Sequence, residues 1–210
     1  MRKLVRAGVA APACLANYHH GQNTWDDLGH EDRNQIRGQL VQMQGRRCAY
    51  CEGSLDMLGQ HIEHFRDRNN FQPLTFAWSN LYWSCYQEDS CGRYKDQHAG
   101  AFNFNEIIDP CVDDPDAFFR FRADGTISIR PGLQVTERRK AEETLRVFNL
   151  HPQWGRLRHM RKATLASYVA MIDGCSGFSI VELQELLGQE LAQAETQPFS
   201  TAIRHVLTEL

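Results

Sequence analysis

Hydrophobic residues recur at helical spacing in several stretches, separated by short polar or glycine-rich breaks. A stripe formed by Ile36, Leu40, Val41 and Met43 predicts a helix that ends near Gly45. Similar stripes predict helices over residues 136–148, beginning at Thr136 as the cap, over 156–172 and from 180 to 191, with a last helix after Pro198. Apolar and polar residues alternate over residues 118–130 around Asp124 and Gly125, which predicts a β-hairpin. The pattern is typical of an α+β protein.

Composition places the chain among ordinary globular proteins. It has 210 residues, of which 42% are hydrophobic and 23% are charged. No apolar run approaches the roughly 20 residues that a membrane-spanning helix needs. The apolar part of the N-terminal stretch is short and is interrupted by Pro12, so we expect neither a signal peptide nor a membrane anchor, and a cytoplasmic protein.

The net charge of -3 conceals an asymmetry along the chain. Residues 130–162 contain nine Arg or Lys against three Glu, a local net of +6. From Asp173 onward, six acidic residues stand against Arg204, a local net of -5. A basic segment beside an acidic one is compatible with a polyanion on one side and a protein partner on the other. Solvated helix faces explain the same charges equally well.

The cysteines indicate a metal site. There are seven, an odd number that argues against a disulfide framework in a chain without a secretion signal. Two pairs stand close together: Cys48 and Cys51, with two residues between them, and Cys85 and Cys91, with five residues between them. This arrangement predicts a structural four-thiolate zinc site. The isolated Cys14, Cys111 and Cys175 are interpreted as small hydrophobic residues.

The stretch HIEHFRDR lies between the two cysteine pairs. It predicts a short strand with His61 and Glu63 on one face and Ile62 on the other. A zinc ion closed by four thiolates leaves no position for catalysis, so these polar residues are free to form a second site nearby. For His61 alone, a surface residue is an equally good interpretation.

The order of the motifs resembles the HNH nuclease family. The matching segments are CAYC, IEHFRDR, WSNLYWSC and CGRYKD. The flanking segments RKLVR, IIDPCVDDPDAFFRFRADGTI and ERRKAEETLRVFNLH resemble PtuB-type HNH proteins of Septu and retron-associated anti-phage systems. The resemblance covers most of residues 1–160. It implies a ββα-metal, treble-clef-like core with a four-cysteine zinc knuckle, flanked by an N-terminal helix and C-terminal helices.

The chemistry of phosphodiester hydrolysis assigns roles within this core. His64 suits a general base, because a neutral imidazole accepts a proton from water, and Glu63 is a hard oxygen ligand for Mg²⁺ or Mn²⁺. Lys95 could contact a substrate phosphate. The resemblance implies that Asn80 orients the loop and aims the base.

One position departs from the family pattern. Relatives commonly carry a second metal ligand, Asn or His, immediately after the final cysteine or one residue later. This chain has Gly92 and Arg93 at these two positions. His61 is the predicted replacement, because it shares a strand face with Glu63. Asp96 and His98 are the alternatives.

Partners follow from charge and from resemblance. Phosphate contacts are predicted for Arg66, Arg93, Arg138, Arg139, Arg158 and Arg161. The chain has no Gly-x-x-x-x-Gly-Lys-Ser/Thr loop and does not read as an ATPase. The resemblance implies a separate PtuA-like ATPase, with a retron reverse transcriptase and its RNA/DNA product as further candidates. DNA is the favoured substrate, and RNA, including tRNA, stays open.

Four segments and two functions are therefore predicted. The segments are an N-terminal extension (1–45), the HNH core (46–110), a hairpin with basic helices (111–173) and acidic C-terminal helices (174–210), which could dock on a partner. The leading hypothesis is a metal-dependent endonuclease. The alternative is a zinc-stapled module that binds nucleic acid or protein without cutting. Glu63 beside His64 distinguishes them, since a binding module needs no base next to a metal ligand.

Overall fold

Helices and short strands alternate through the part of the chain that the computed structural model describes, residues 1–152 and 155–208. The helices are α1 (His30–Gln44), α2 (Leu55–Leu58), α3 (Cys91–Gln97), α4 (Val135–Val147), α5 (Arg156–Gly174), α6 (Ile180–Ala194) and α7 (Ser200–Thr208). The strands are β1 (Gln60–His64), β2 (Leu81–Cys85), β3 (Phe119–Phe121) and β4 (Ile127–Ile129). This mixture of helices and small sheets agrees with the predicted α+β class.

The centre of the molecule is the pair β1 and β2, followed in the chain by α3. The two strands are antiparallel, with Glu63 opposite Tyr82 and His64 opposite Leu81. Every residue of β2 is buried, because α1 and α3 both contact this strand. The hairpin therefore holds Glu63 and His64 at the end of β1 against a fully packed support.

Helix α1 is pinned to β2 by Gln44. Its buried side-chain amide donates to the carbonyls of Arg47 and Trp83, at 2.9 Å each, and accepts from the Trp83 amide at 2.9 Å. The helix ends as predicted at Gly45, whose φ of +63° is the left-handed conformation that glycine adopts readily. The turn that carries Cys48 and Cys51 follows directly.

The second hairpin confirms the alternation pattern. β3 and β4 pair antiparallel, with Phe119 opposite Ile129. Gly125 in the connecting loop has φ +80°, and a Cβ there would lie 2.3 Å from the Arg158 carbonyl oxygen of α5. Glycine is needed at this position both for conformation and for close approach.

Helix α4 starts earlier than the sequence predicts. The cap is Gln134 and not Thr136, because the Glu137 carboxylate accepts a hydrogen bond from the Gln134 amide at 2.9 Å to form a capping box. The predicted cap was wrong, whereas the predicted end at Phe148 agrees with its position as C-cap.

The basic residues at the beginning of α5 are used by the fold. Arg156 and Arg158 make ion pairs with Asp89 at 2.6 Å and Asp124 at 2.9 Å. Arg161 is buried and donates to the carbonyls of Gly125 and Leu150 at 2.9 and 3.0 Å. The predicted phosphate contact does not suit Arg161, because its guanidinium is enclosed by backbone acceptors.

The C-terminal helices differ sharply in burial. α7 packs against α5, α6 and β3 and buries Ile203 and Val206. Its start is tied to the cysteine turn, since the Glu52 carboxylate accepts from the Thr201 amide at 3.0 Å and Arg47 donates to the Gln197 carbonyl at 3.0 Å. α7 is thus part of the core, whereas α6 buries Ala194 alone among its residues.

One cluster of buried apolar side chains draws members from all four predicted segments. It includes Leu4, Leu81, Phe119 and Ile203. The division of the chain into four functional segments stays a prediction. Among the described residues, no helix combines the length and the apolar character needed to cross a membrane.

Candidate active site

The four paired cysteines converge in the structure. The Sγ atoms of Cys48, Cys51, Cys85 and Cys91 all lie within 4.8 Å of one another, and all four residues are buried. A tetrahedral zinc with bonds of about 2.3 Å places its sulfur ligands roughly 3.8 Å apart, a spacing that falls within this limit. Within residues 1–152 and 155–208, this is the one group of three or more Cys, His or acidic ligands that converges in this way. The cluster can hold a metal ion such as zinc.

Backbone amides complete the surroundings of the sulfurs. The Cys85 amide points at Cys48 Sγ at 3.3 Å, and the Gly53 amide points at Cys51 Sγ at 3.4 Å. Such donors favour thiolate ligands over thiols. The cluster joins the turn after α1, the end of β2 and the start of α3, and it therefore fixes the elements that carry the neighbouring polar residues.

His64 ends β1 and is buried. Its Nε2 lies 2.9 Å from the Thr75 carbonyl oxygen, which can only accept, so Nε2 carries the proton. The Trp25 ring meets the imidazole edge-on with centroids 4.4 Å apart. Burial lowers the pKa of His64 to about 4, against the opposing effect of the Thr75 hydrogen bond. The imidazole is therefore neutral near pH 7, and Nδ1 carries the lone pair.

A cavity of about 620 Å³ adjoins this imidazole. Its lining includes Glu63, His64, Arg68, Lys95 and Asp96. A neutral imidazole, two carboxylates and two cationic side chains thus border one space that solvent and a ligand can share.

Glu63 is 1% exposed and lies between two cationic or donor groups. Its Oε1 is 3.0 Å from Lys95 Nζ, and its Oε2 accepts from His61 Nε2 at 2.9 Å. Burial by itself would raise the pKa of Glu63, but the charge of Lys95 and the His61 hydrogen bond hold it below its usual value. The carboxylate is therefore ionised although it is buried.

Lys95 projects inward from α3. Its side chain is 1% exposed, and its Nζ lies 3.0 Å from Glu63 Oε1 and 3.1 Å from the His64 carbonyl oxygen. It also makes an ion pair with the Asp96 carboxylate. Its position makes Lys95 the counter-charge of Glu63. The phosphate contact that the sequence predicts for Lys95 stays a prediction.

Gly92, where the chain departs from the family pattern, has a steric explanation. A Cβ on Gly92 would lie 2.3 Å from Glu63 Oε2, because the carboxylate packs directly against the start of α3. Any side chain there would displace Glu63. The metal ligand that relatives commonly carry near this position is therefore absent here, because the Glu63 carboxylate fills the space that its side chain would need.

The sequence predicts a divalent cation held by Glu63 and His61, and these two side chains are in contact. His61 Nδ1 is among the buried side-chain atoms of the described residues that have no hydrogen-bond partner, whereas Glu63 Oε1 faces Lys95 Nζ at 3.0 Å. His61 and Glu63 are the two residues that the sequence predicts as ligands, and His61 Nε2 lies 2.9 Å from Glu63 Oε2. The Asp96 carboxylate contacts the same Lys95 ammonium. The oxygen and imidazole donors are those that Mg²⁺ or Mn²⁺ accepts.

Asn80 clasps the loop that follows His64. Its Oδ1 accepts from the Arg66 amide at 2.8 Å, while its Nδ2 donates to the carbonyls of Arg66 and Leu74 at 3.0 and 3.2 Å. The loop is thereby closed just before Thr75, the residue that fixes the His64 tautomer. These contacts are those of a positioning residue.

The other predicted nucleic-acid ligands occupy varied positions. Arg66 lies over the Phe71 ring at 5.3 Å. Arg93 lies over the Tyr86 ring at 4.2 Å and pairs with Glu88. Arg138 and Arg139 are exposed on α4. Arg68, which sequence reasoning passed over, lines the cavity beside His64.

Sequence reasoning also missed the residues that enclose His64. Trp25 comes from a short 3-10 helix (Trp25–Asp27), and Thr75 contributes only a backbone carbonyl. Neither belongs to a motif. A tryptophan in the otherwise polar stretch NTWDD was the one available signal.

Comparison with known proteins gives three informative relatives, while no family model matches. A Septu protein PtuB of Bacillus mycoides strain KBAB4 is 25% identical over 142 residues, 55% of this chain and 46% of that protein. A Septu protein PtuB of Bacillus thuringiensis is 33% identical over 82 residues, 38% of this chain and 30% of that protein. The chain is therefore similar to Septu PtuB proteins over part of its length.

A third relative carries the nuclease name. A protein of Vibrio cholerae serotype O1 biovar El Tor, named as a candidate HNH endonuclease of retron Vc95, is 28% identical over 123 residues. The match covers 55% of this chain and 57% of that protein. The chain thus spans about half the length of these two curated relatives.

Proposed function

We propose that this protein is a metal-dependent HNH endonuclease that hydrolyses phosphodiester bonds as the effector of an anti-phage defence complex. One observation carries the proposal: a buried, neutral His64 and a buried, ionised Glu63 stand side by side on a rigid hairpin at one cavity. Perturbed groups of this kind cluster at catalytic sites. Relatives named PtuB and candidate HNH endonuclease support the same reaction class.

In the proposed reaction His64 is the general base. Its Nε2 proton is held by Thr75, so Nδ1 takes the proton from the attacking water. Glu63 and His61 would hold Mg²⁺ or Mn²⁺, which when bound neutralises charge developing on the phosphate. Lys95 stabilises the ionised Glu63, and Asn80 keeps the loop closed around the base. Arg68 borders the cavity and is suited to a substrate phosphate.

The four cysteines have a structural role in this proposal. They hold one Zn²⁺, and with four thiolates this ion has no open position for substrate. In this proposal β1, β2 and α3 together with this knuckle form the ββα-metal core that the sequence resemblance implies. The Sγ cluster and its amide donors support the assignment.

Replacing His61 with alanine is expected to raise the Mn²⁺ concentration needed for half-maximal cleavage about tenfold, because one donor is lost. Mn²⁺ binding followed by electron paramagnetic resonance should weaken in parallel. His20→Ala removes an exposed histidine elsewhere and serves as the matched control. An unchanged Mn²⁺ titration in His61→Ala would transfer the ligand role to Asp96 or His98.

The alternative is a zinc-stapled module that binds without cutting. The observation in its favour is the Lys95 ammonium, which already neutralises Glu63 without any metal. The two functions differ in products: a binding module retards DNA or RNA on a gel and leaves it intact in Mg²⁺ or Mn²⁺. Cleavage that disappears in His64→Ala excludes the alternative.

The partner in this proposal is a separate PtuA-like ATPase that controls when the nuclease acts. A retron reverse transcriptase with its RNA/DNA product is a further candidate component. The substrate is nucleic acid, with DNA favoured by the HNH resemblance and RNA, including tRNA, as the other candidate. Exposed Arg138 and Arg139 on α4 would contribute phosphate contacts.

The start of α6 is the proposed docking surface for the ATPase. Ile180 is 76% exposed and Val181 is 70% exposed, whereas α7 is buried and unsuited to docking. The double variant Ile180→Asp with Val181→Asp is expected to lose most co-purification with the ATPase and to keep its zinc. Val135→Asp, at an equally exposed valine (85%) on α4, is the control. Full recovery of the ATPase with the double variant would locate docking elsewhere.

A further inference from the structure

A second cavity, of about 420 Å³, adjoins the one beside His64. The two cavities share the side chains of Asn70, Phe102 and Phe104 as lining. The second cavity is therefore a direct neighbour of the one beside His64.

Three phenylalanines form the apolar walls of the second cavity. Phe104 is central, with Phe102 at 4.6 Å and an interplanar angle of 60° and Phe71 at 5.0 Å and 86°. Arg66 lies over the Phe71 ring at 5.3 Å and over the Phe104 ring at 5.7 Å, so Phe102 is the ring best placed to offer a face to a ligand. Phe71 and Phe102 are only half-buried. Such flat apolar walls suit another flat ring.

The polar part of the lining consists of amides and one arginine. Asn70 and Asn103 line the cavity, and Arg66 donates to Asn105 Oδ1 at 3.0 Å. The Arg66 backbone amide is the donor that Asn80 accepts at 2.8 Å. The loop clasp beside the base thus also positions this wall of the second cavity.

We propose that the second cavity binds one unpaired nucleobase next to the phosphate that is cut, so that the protein acts on single-stranded or locally unpaired nucleic acid. The inference rests on the proposed function and names its substrate class. Aromatic faces stack on bases of any sequence, and asparagine amides hydrogen-bond to the base edge that pairing would otherwise occupy. A base within a duplex has both faces and its pairing edge covered and cannot enter.

The chemistry shared by DNA and RNA is the unpaired base, which the cavity would recognise in either. The test therefore uses both. A single-stranded oligonucleotide carrying 2-aminopurine, as DNA and as RNA, is titrated with the His64→Ala protein, which binds without cutting. Stacking on the phenylalanines should change the 2-aminopurine fluorescence.

Adding Phe102→Ala to this protein is expected to weaken single-strand binding about tenfold and to abolish the fluorescence change. Phe178→Ala, at a half-exposed phenylalanine outside both cavities, should leave both unchanged. Phe102→Leu keeps most of the apolar volume but removes the ring. It should therefore lose binding as Phe102→Ala does, and it serves as the test if the alanine variant is misfolded. Zinc content verifies that each variant is folded.

Binding by Phe102→Leu equal to that by Phe178→Ala would overturn the inference, as would equal affinity for the fully paired duplex. The binding assay does not measure cutting, so the two claims can fail separately. If 2-aminopurine binding depends on Phe102 and a separate assay finds no cleavage by the wild-type protein, the nuclease proposal fails and the base pocket stands. If the protein cuts duplexes as well as single strands, the nuclease proposal stands and the base pocket fails.

Discussion

Replacing His64 with alanine is expected to lower the rate of nucleic-acid cleavage by about 10²- to 10⁴-fold, the usual contribution of a positioned general base. The reason is local: Nε2 is bonded to the Thr75 carbonyl, burial keeps the ring neutral, and Nδ1 is left to accept a proton. Single-turnover cleavage with the ATPase partner present measures the chemical step. The same variant should lose phage protection in cells.

The control for His64 is His20→Ala, which removes an exposed imidazole. His64→Ala leaves the Thr75 carbonyl without its donor, so the fold of the variant has to be checked. Zinc content and melting temperature should show that it is folded. A folded His64→Ala protein that cuts or protects at the wild-type level would remove His64 from the mechanism.

Removing the metal from the four cysteines is expected to unfold the central part of the protein. Structural zinc sites contribute on the order of 10 kcal/mol or more, which is comparable to the whole stability of a typical domain. Here Cys48 and Cys51 join the turn after α1 to Cys85 on β2 and Cys91 on α3. Freshly purified protein should contain about one Zn²⁺ per chain, and a strong chelator should collapse the circular dichroism signal.

Cys48→Ser should have the same effect as chelation, while Cys175→Ala provides the matched cysteine control outside the cluster. Its zinc content should equal that of the wild type. Elemental analysis without zinc, in protein that is folded and stable to the chelator, would contradict the structural role.

Local patterns predicted a large part of the fold. Helix α1 and its end at Gly45 followed from spacing and from glycine chemistry, and the β3–β4 hairpin followed from alternation around Asp124 and Gly125. The convergence of the four cysteines followed from their spacing, because two thiolates with two residues between them commonly share one metal. These features depend on neighbours in the sequence.

Contacts between distant residues were beyond the sequence. Nothing near position 25 indicates that Trp25 packs on His64, and nothing near Lys95 indicates a pair with Glu63 instead of a free ammonium. Arg161 appeared as one member of a basic segment, but backbone carbonyls from two other elements enclose it. Burial converts surface patterns into structural contacts, and only packing reveals where this occurs.

The predicted site residues illustrate the same division. Glu63 and His64 were recognisable as a motif. The reason for Gly92 was not, because it is steric: the Glu63 carboxylate on β1 fills the space that a side chain at Gly92 on α3 would need. The residues of the chemistry were visible in order along the chain. Their protonation, which follows from burial and partners, required the structure.

The central claim is that this protein hydrolyses phosphodiester bonds with a water activated at His64. The most direct measurement is cleavage of single-stranded DNA and RNA in ¹⁸O-labelled water with Mg²⁺ or Mn²⁺, with and without the ATPase, followed by mass spectrometry of the products. We expect one ¹⁸O atom in the single terminal phosphate that each cut produces, none at the new hydroxyl end, and no labelled product from His64→Ala. Intact substrate under every condition, from folded protein that contains its zinc, would contradict it.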